Sequence, residues 1–251
     1  MKQGLHKIIA IPFSLVFYLL FGILLLIFDP IQRICLNVFG YEAHKKSVAI
    51  FNGLLLLALH VTGTTFKFEM PFEIPLKKPV IIVSNHQSMW DIPPLIWFLR
   101  KIHPKFVSKI ELGKGIPTVS YNLRRGGSVL IDRKNPAQSS NAIKKGAHYI
   151  SANNRSLVIF AEGTRSRNGV PKPFKKKGLL TLFEHAPDAY VLPISINHSW
   201  KLQRFGMFPI PLFNRLKFYV HPAVKVTDYE DKEKLIQEIE KTIVSKISVT
   251  A

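Results

Sequence analysis

A single cysteine, Cys35, stands in the whole 251-residue chain. One thiol excludes an internal disulfide and any zinc site built on several cysteines. Nothing beside it marks it as activated, and it reads as an apolar filler. Acidic residues are also scarce: 16 Asp and Glu face 35 Lys and Arg, a formal net charge of +19. Such an imbalance suits an anionic partner, whether nucleic acid, an anionic membrane surface or a phosphorylated substrate. The cations are scattered and no aromatic platform is interleaved with them, so nucleic acid ranks last. No Gly-x-Ser-x-Gly elbow marks a nucleophilic serine. Clustered metal ligands, internal repeats and disordered linkers are missing as well.

Formal charge is absent from Ile8 to Phe28, a run of 21 residues, close to the roughly 20 that cross a bilayer core. The run is longer than a signal-peptide core of about 7–15 residues. It ends in Phe28-Asp29-Pro30, with no small-residue cleavage site. A retained membrane helix preceded by Lys2 and Lys7 is expected. A second apolar run, Val48–Gly63, carries Asn52 and His60. At about 1.5 Å per residue it reaches some 24 Å, enough to enter a bilayer but short for crossing one. The two runs predict a helical pair joined through Gln32–Lys46. A buried soluble hairpin fits less well, because the first run has no polar face. Spanning the membrane and entering one leaflet both stay open. Basic residues flank both runs, so orientation is only weakly determined, but the cations of the remaining chain favour its placement on the cytoplasmic side.

Residues 1–66 therefore read as an N-terminal membrane-associated helical segment, and 67–251 as an α/β domain. Strands are expected at Val80–Ser84, Lys105–Val107, Ser128–Ile131, Leu157–Phe160, Tyr190–Ile196 and Leu216–His221. Helices are expected at Pro94–Arg100, Ser139–Ala152, Lys177–His185 and Lys232–Ser245. Apolar strands alternating with amphipathic helices imply a mixed sheet covered by helices.

Polar constellations follow several of these strands, where open α/β sheets commonly bind ligands. In Ser84-Asn85-His86-Gln87-Ser88-Met89-Trp90-Asp91, an imidazole and a carboxylate are separated by four residues. A histidine can take a proton from a hydroxyl, and a buried carboxylate can hold its ring and stabilise the imidazolium. The plainer alternative makes Asp91 a helix N-cap, but Pro93 and Pro94 lack the N–H groups such a cap engages. On one continuous helix the two side chains would lie about 140° apart, so a bend must bring them together. A second constellation, Phe160-Ala161-Glu162-Gly163-Thr164-Arg165-Ser166-Arg167, combines a tight-turning glycine with donors suited to phosphate. It could equally be a solvated turn. Lys109-Ile110-Glu111-Leu112 and Leu130-Ile131-Asp132-Arg133 would each be ordinary charged strand ends if taken singly. The basic run Lys172–Lys177 fits phosphate or headgroup contact, or a solvated face.

Taken together, the order and spacing of these motifs resemble the 1-acyl-sn-glycerol-3-phosphate (lysophosphatidic acid) acyltransferase family. Asn85-His86 through Asp91 is similar to its Asn-His-x4-Asp block, and Lys109 through Pro117 to Arg133 to its second block. Phe160 through Ser166 is similar to the Phe-Pro-Glu-Gly-Thr-Arg-Ser block, with Ala161 in place of proline. Phe174 through Gly178 resembles the basic stretch that follows, with an extra lysine, and Leu192-Pro193-Ile194 resembles the fourth block. Ser120 stands where a glycine often follows the proline of the second block. The match spans about residues 79–200.

The resemblance implies that His86 and Asp91 are catalytic, with His86 as general base on a lysolipid hydroxyl and Asp91 orienting its ring. It implies that Glu162, Gly163, Thr164 and Arg165 hold the glycerol phosphate of lysophosphatidic acid, with Lys109 and Arg133 as further anion contacts. Acyl-CoA or acyl-carrier protein would be the donor, and phosphatidic acid the product. The scheme needs no cofactor or metal. A different lysolipid acceptor is the alternative within enzymes; a non-catalytic basic membrane-binding protein is the alternative outside them.

Overall fold

The computed structural model describes residues 2–248; the charge expected at Lys2 lies outside the described side chains. Strand β2 (Val80–Ser84) is buried along its whole length. Successive side chains of a strand point to opposite faces, and this one feeds two cores. Val80 and Ile82 join one cluster with Leu95, Val158 and Leu192. Ile81 and Val83 join the other with Ile143, Leu157 and Leu179. A strand covered on both faces must be apolar at every position, which is why it reads as an unbroken run.

The strands that follow are β3 (Pro104–Lys109), β4 (Val129–Ile131), β5 (Ser156–Phe160), β6 (Tyr190–Asn197), β7 (Arg215–Val220) and β8 (Val224–Lys225). With β1 (Thr65–Glu69) they form one sheet in the order β1-β7-β6-β2-β5-β3-β4, with β8 paired to β6. β2, β3, β4 and β5 run parallel, and β6 is parallel to β2. β7 and β8 are antiparallel to β6, so the sheet is mixed, as expected. On one face lie α5 (Pro136–Asn153), α6 (Lys176–His185) and α7 (Lys232–Val244), which supply Ile143, Leu182 and Ile239 to the second core. On the other lies α3 (Ile92–Phe98). The short α4 (Val119–Arg125) precedes β4.

The N-terminal pair departs from the expected outline. Helix α1 runs from Lys2 to Phe39 and α2 from Tyr41 to Leu59. The segment Gln32–Lys46, expected as a connector, is therefore helical except at one residue. Gly40 turns the chain there with φ of 79°, a left-handed conformation open to glycine without strain. The basic residues of the segment, Arg33, Lys45 and Lys46, sit on helical turns. Helix α1, at 38 residues, is about 57 Å long. Its inner side docks on the sheet domain: Phe17 packs edge-on to Trp90 with ring centroids 5.2 Å apart. Near its far end Asp29 accepts the Thr118 N–H at 2.7 Å. Its outer side is apolar and uncovered, with Leu19 and Leu26 64% and 66% exposed. Both helices are long and apolar enough to cross a membrane.

Candidate active site

The site lies at the carboxyl ends of the parallel strands and begins where β2 stops. The Asn85 side chain exchanges two hydrogen bonds with the Ile196 backbone, at 2.9 and 2.7 Å, which fixes the end of β2 to β6. The chain then bends. Ser88 starts a short helical turn over Met89–Asp91 and accepts the Trp90 N–H, while the Asp91 carboxylate reaches back to the Ser88 N–H at 3.0 Å. This reciprocal cap is the bend the sequence required. It brings His86 Nδ1 to 2.7 Å from Asp91 Oδ2.

Asp91 is fully buried and well supplied with donors. Oδ2 also accepts the Gln87 N–H at 2.7 Å, and Oδ1 accepts the Ser199 hydroxyl. Gln87 Oε1 in turn accepts the Ser199 N–H at 3.1 Å. A carboxylate held by four donors orients the imidazole through Nδ1–H and leaves Nε2 as the nitrogen that can accept a proton. The ring lies flat on Phe160, with centroids 3.9 Å apart and planes 11° from parallel. The base is thus fixed on one edge by Asp91 and on one face by the last residue of β5.

The loop after β5 completes the floor. Glu162, expected as a substrate contact, lies behind the surface: its carboxylate accepts the backbone N–H of His86 at 2.9 Å and of Lys172 at 3.2 Å. Burial pushes this carboxyl up to about 7, against the pull of those two N–H groups and Lys172. Ser166 anchors the loop from the other side, donating its N–H to the His86 carbonyl at 2.7 Å. Gly163 has φ of 67°, a left-handed conformation that favours glycine. A Cβ there would meet only the flexible end of the Lys175 side chain, which can move aside.

Above this floor opens a cavity of about 790 Å³. His86, Lys109, Arg133, Gly163, Thr164 and Arg165 all line it, while Asp91 and Glu162 stand behind the wall. Arg167, Lys175 and Lys177, which the sequence reading gave no definite role, line it too. Burial lowers the pKa of Arg165 and Arg133 from the ordinary arginine value, though a guanidinium stays charged under any working condition. Among the described residues none of Lys109, Arg133, Arg165 and Arg167 is paired with a carboxylate. Part of its wall is apolar, with Val107, Ile131, Ile143 and Ile159. A proton acceptor therefore shares one cavity with unpaired cations and a lipophilic wall. No three His, Cys, Asp or Glu side chains among the described residues converge as a metal site would need.

Ser199 had no signal in the sequence. It sits 108 residues beyond Asp91, in no recognisable motif, and only the fold brings it under the carboxylate. The contribution of Phe160 was likewise hidden, since its apolar character already explained it as the end of a strand.

A family model described as Acyltransferase matches residues 65–197. The 1-acyl-sn-glycerol-3-phosphate acyltransferase of Limnanthes alba is 30% identical over 238 residues, which cover 82% of this chain and 80% of that protein. The chain belongs to the acyltransferase family, among the 1-acyl-sn-glycerol-3-phosphate acyltransferases. The enzyme of that name from Limnanthes douglasii is 31% identical over 175 residues, but these span only 58% of its length and 65% of this chain. That from Borreliella burgdorferi is 27% identical over 208 residues, 80% of its length and 81% of this chain. The fold matches the crystal structure of the 1-acyl-sn-glycerophosphate (LPA) acyltransferase PlsC from Thermotoga maritima. The TM-score is 0.76 at 23% identity, over 95% of this chain and 94% of that one.

Proposed function

We propose that this chain transfers an acyl group from an acyl thioester to the free hydroxyl of 1-acyl-sn-glycerol 3-phosphate, making phosphatidic acid. The observation that carries the reading is the shared cavity, in which the braced His86 imidazole faces the same space as the unpaired cations Arg165, Arg133 and Lys109. The names of the relatives support the choice of acceptor. His86 Nε2 takes the hydroxyl proton as the oxygen attacks the thioester carbonyl carbon. The tetrahedral intermediate then collapses, the C–S bond breaks, and the imidazolium returns its proton to the departing thiolate. Asp91 keeps the ring oriented and balances its positive charge. Arg165, with Lys109 and Arg133, holds the glycerol phosphate beside the backbone of Gly163 and Thr164. Glu162 acts one layer back, setting the His86 backbone. Either acyl-CoA or acyl-carrier protein serves as the donor.

The apolar outer side of α1 supports docking in a membrane, where a lysolipid can present its hydroxyl while its chain stays in lipid. In this reading the N-terminal helices form the membrane-associated segment and the chain from β1 onward the catalytic domain, since the expected boundary between 66 and 67 falls inside β1. That domain faces the cytoplasm in keeping with its excess of cations.

The test is an acyl-transfer assay on purified protein, with lysophosphatidic acid and lysophosphatidylcholine as competing acceptors and both donor types. Phosphatidic acid should be the main product. Equal turnover of the two acceptors, or none, overturns the reading. Arg165→Ala should raise KM for lysophosphatidic acid roughly ten- to a hundredfold, the size of a lost charge-assisted hydrogen bond, and leave the donor KM in place. Equal losses for both substrates would remove Arg165 from the phosphate site.

A further inference from the structure

The other end of the sheet carries a second group of cations. Lys105, the second residue of β3, is buried to 6% exposure, and its Nζ lies 4.9 Å from the centroid of the Tyr41 ring. Arg155, immediately before β5, stacks its guanidinium on the same ring at 3.6 Å and donates to the Tyr149 hydroxyl. Lys45, one turn along α2 from Tyr41, donates to His103 Nε2. The His103 ring in turn lies parallel to Tyr41, with centroids 6.0 Å apart. Lys105 and Arg155 thus flank the residue that follows the Gly40 turn, and Lys45 reaches the same cluster through His103.

Counter-charge is nearly absent. Neither Lys105 nor Arg155 pairs with a carboxylate among the described residues. Glu42 is the acid within electrostatic reach of Lys105, but its side chain is 65% exposed and is engaged with Lys45 at 3.3 Å. The neutral polar groups are also unsatisfied. Both ring nitrogens of the fully buried His44, which feels the charge of Lys105, lack a hydrogen-bond partner, as does His103 Nδ1. An ammonium buried without a counter-charge is strongly disfavoured, and burial, with the like charges of Arg155 and Lys45, presses Lys105 down to about 7. An arriving anion would reverse that. Arg155, held flat by two tyrosines, keeps a planar donor fork suited to the oxygens of a phosphate.

We propose that Lys105, Arg155 and Lys45 form a phosphate-binding site at the elbow between α1 and α2, distinct from the catalytic cavity. The phosphate is carried by a lipid headgroup or is free in solution. Lys105 and Lys109 are four residues apart on one strand, about 13 Å, so the two sites occupy opposite ends of β3. Occupation of the elbow site ties the first turn of α2 to β3 and β5, and through them to the sheet that carries His86. The proposal is independent of the acyl-transfer reading.

Thermal unfolding of the full chain in neutral detergent tests it, in an Arg165→Ala background that weakens anion binding in the catalytic cavity. One arm adds inorganic phosphate against chloride at matched ionic strength. The other adds phosphatidic acid to the micelles against oleate, an anionic lipid without phosphate. Phosphate in at least one arm should raise Tm by several degrees beyond its control. A shift with inorganic phosphate identifies a free anion as sufficient; a shift with phosphatidic acid alone identifies the headgroup. Adding Lys105→Met should raise Tm without ligand, because an uncompensated buried charge is gone, and should abolish the phosphate shift. Arg155→Gln should abolish the shift as well, and decides the matter if the Lys105 variant does not fold. A shift that survives these substitutions, or no shift beyond control in either arm, overturns the proposal.

Discussion

The two ends of the sheet both gather cations, yet they treat their polar groups in opposite ways. At the carboxyl end the framework is satisfied before any ligand arrives. Asp91 has four donors, Glu162 has two, and Asn85 is bonded in both directions; of these bracing side chains, only Gln87 leaves an amide nitrogen without a partner. The unpaired cations there line an open cavity, where water can solvate them. At the amino end an ammonium is itself buried, and beside it both ring nitrogens of His44 and Nδ1 of His103 lack partners. The difference separates two uses of charge. A site for chemistry must hold its base rigid in advance, because reorganisation during reaction raises the barrier. A site that only binds can leave its groups unsatisfied and let the ligand complete them.

If the carboxyl end is preorganised around His86, its removal should have the largest effect. His86→Ala is expected to lower kcat on the order of 10³-fold, within the range of general-base catalysis, while membrane pelleting and far-UV circular dichroism stay unchanged. A variant that keeps its turnover breaks the contrast, since the braced histidine would then be bracing nothing. Ser199→Ala sharpens it. Loss of one donor to a buried carboxylate should reduce kcat roughly ten- to a hundredfold with little change in KM; an unchanged kcat would show the other three donors to be sufficient. The smallest effect belongs to Glu162. Its carboxyl is held up to about 7 in the fold against an ordinary value near 4.3 when unfolded. Between these values the native state binds more protons than the unfolded chain, so this group makes stability fall as pH rises through that window. Glu162→Gln should flatten that slope in urea unfolding measured at about pH 5 and about pH 8. An unchanged slope would mean that the buried carboxyl does not titrate there.

Much of this was legible in the amino-acid sequence, for reasons particular to each element. β2 is sandwiched between two cores, so burial left its mark on all five residues and made the motif after it easy to place. β1 was missed because Thr65-Phe66-Lys67-Phe68-Glu69 is an edge strand with half its side chains in solvent. Its pairing depends on β7, some 150 residues away. The helical turns on both sides of Gly40 fell to the connector because they lie outside the two apolar runs from which the helices were read. Glu162 shows a further limit. A carboxylate in a phosphate-suited loop can serve the ligand or the backbone, and residue type does not distinguish them. Ser199 lies beyond the residues matched by the family model, and its hydroxyl has meaning only once the short helical turn Ser199–Gln203 is folded beneath Asp91.

That last hydrogen bond also orders events during synthesis. The chain emerges from its amino end, so the apolar α1 and α2 leave the ribosome first, and His86 and Asp91 follow soon after. Their brace arrives with residue 199, well over a hundred residues behind the helices. On the proposed function, the nascent protein can reach a bilayer long before the His86–Asp91 pair has its full set of donors, and a chain cut short before Ser199 would keep the apolar helices without that last brace.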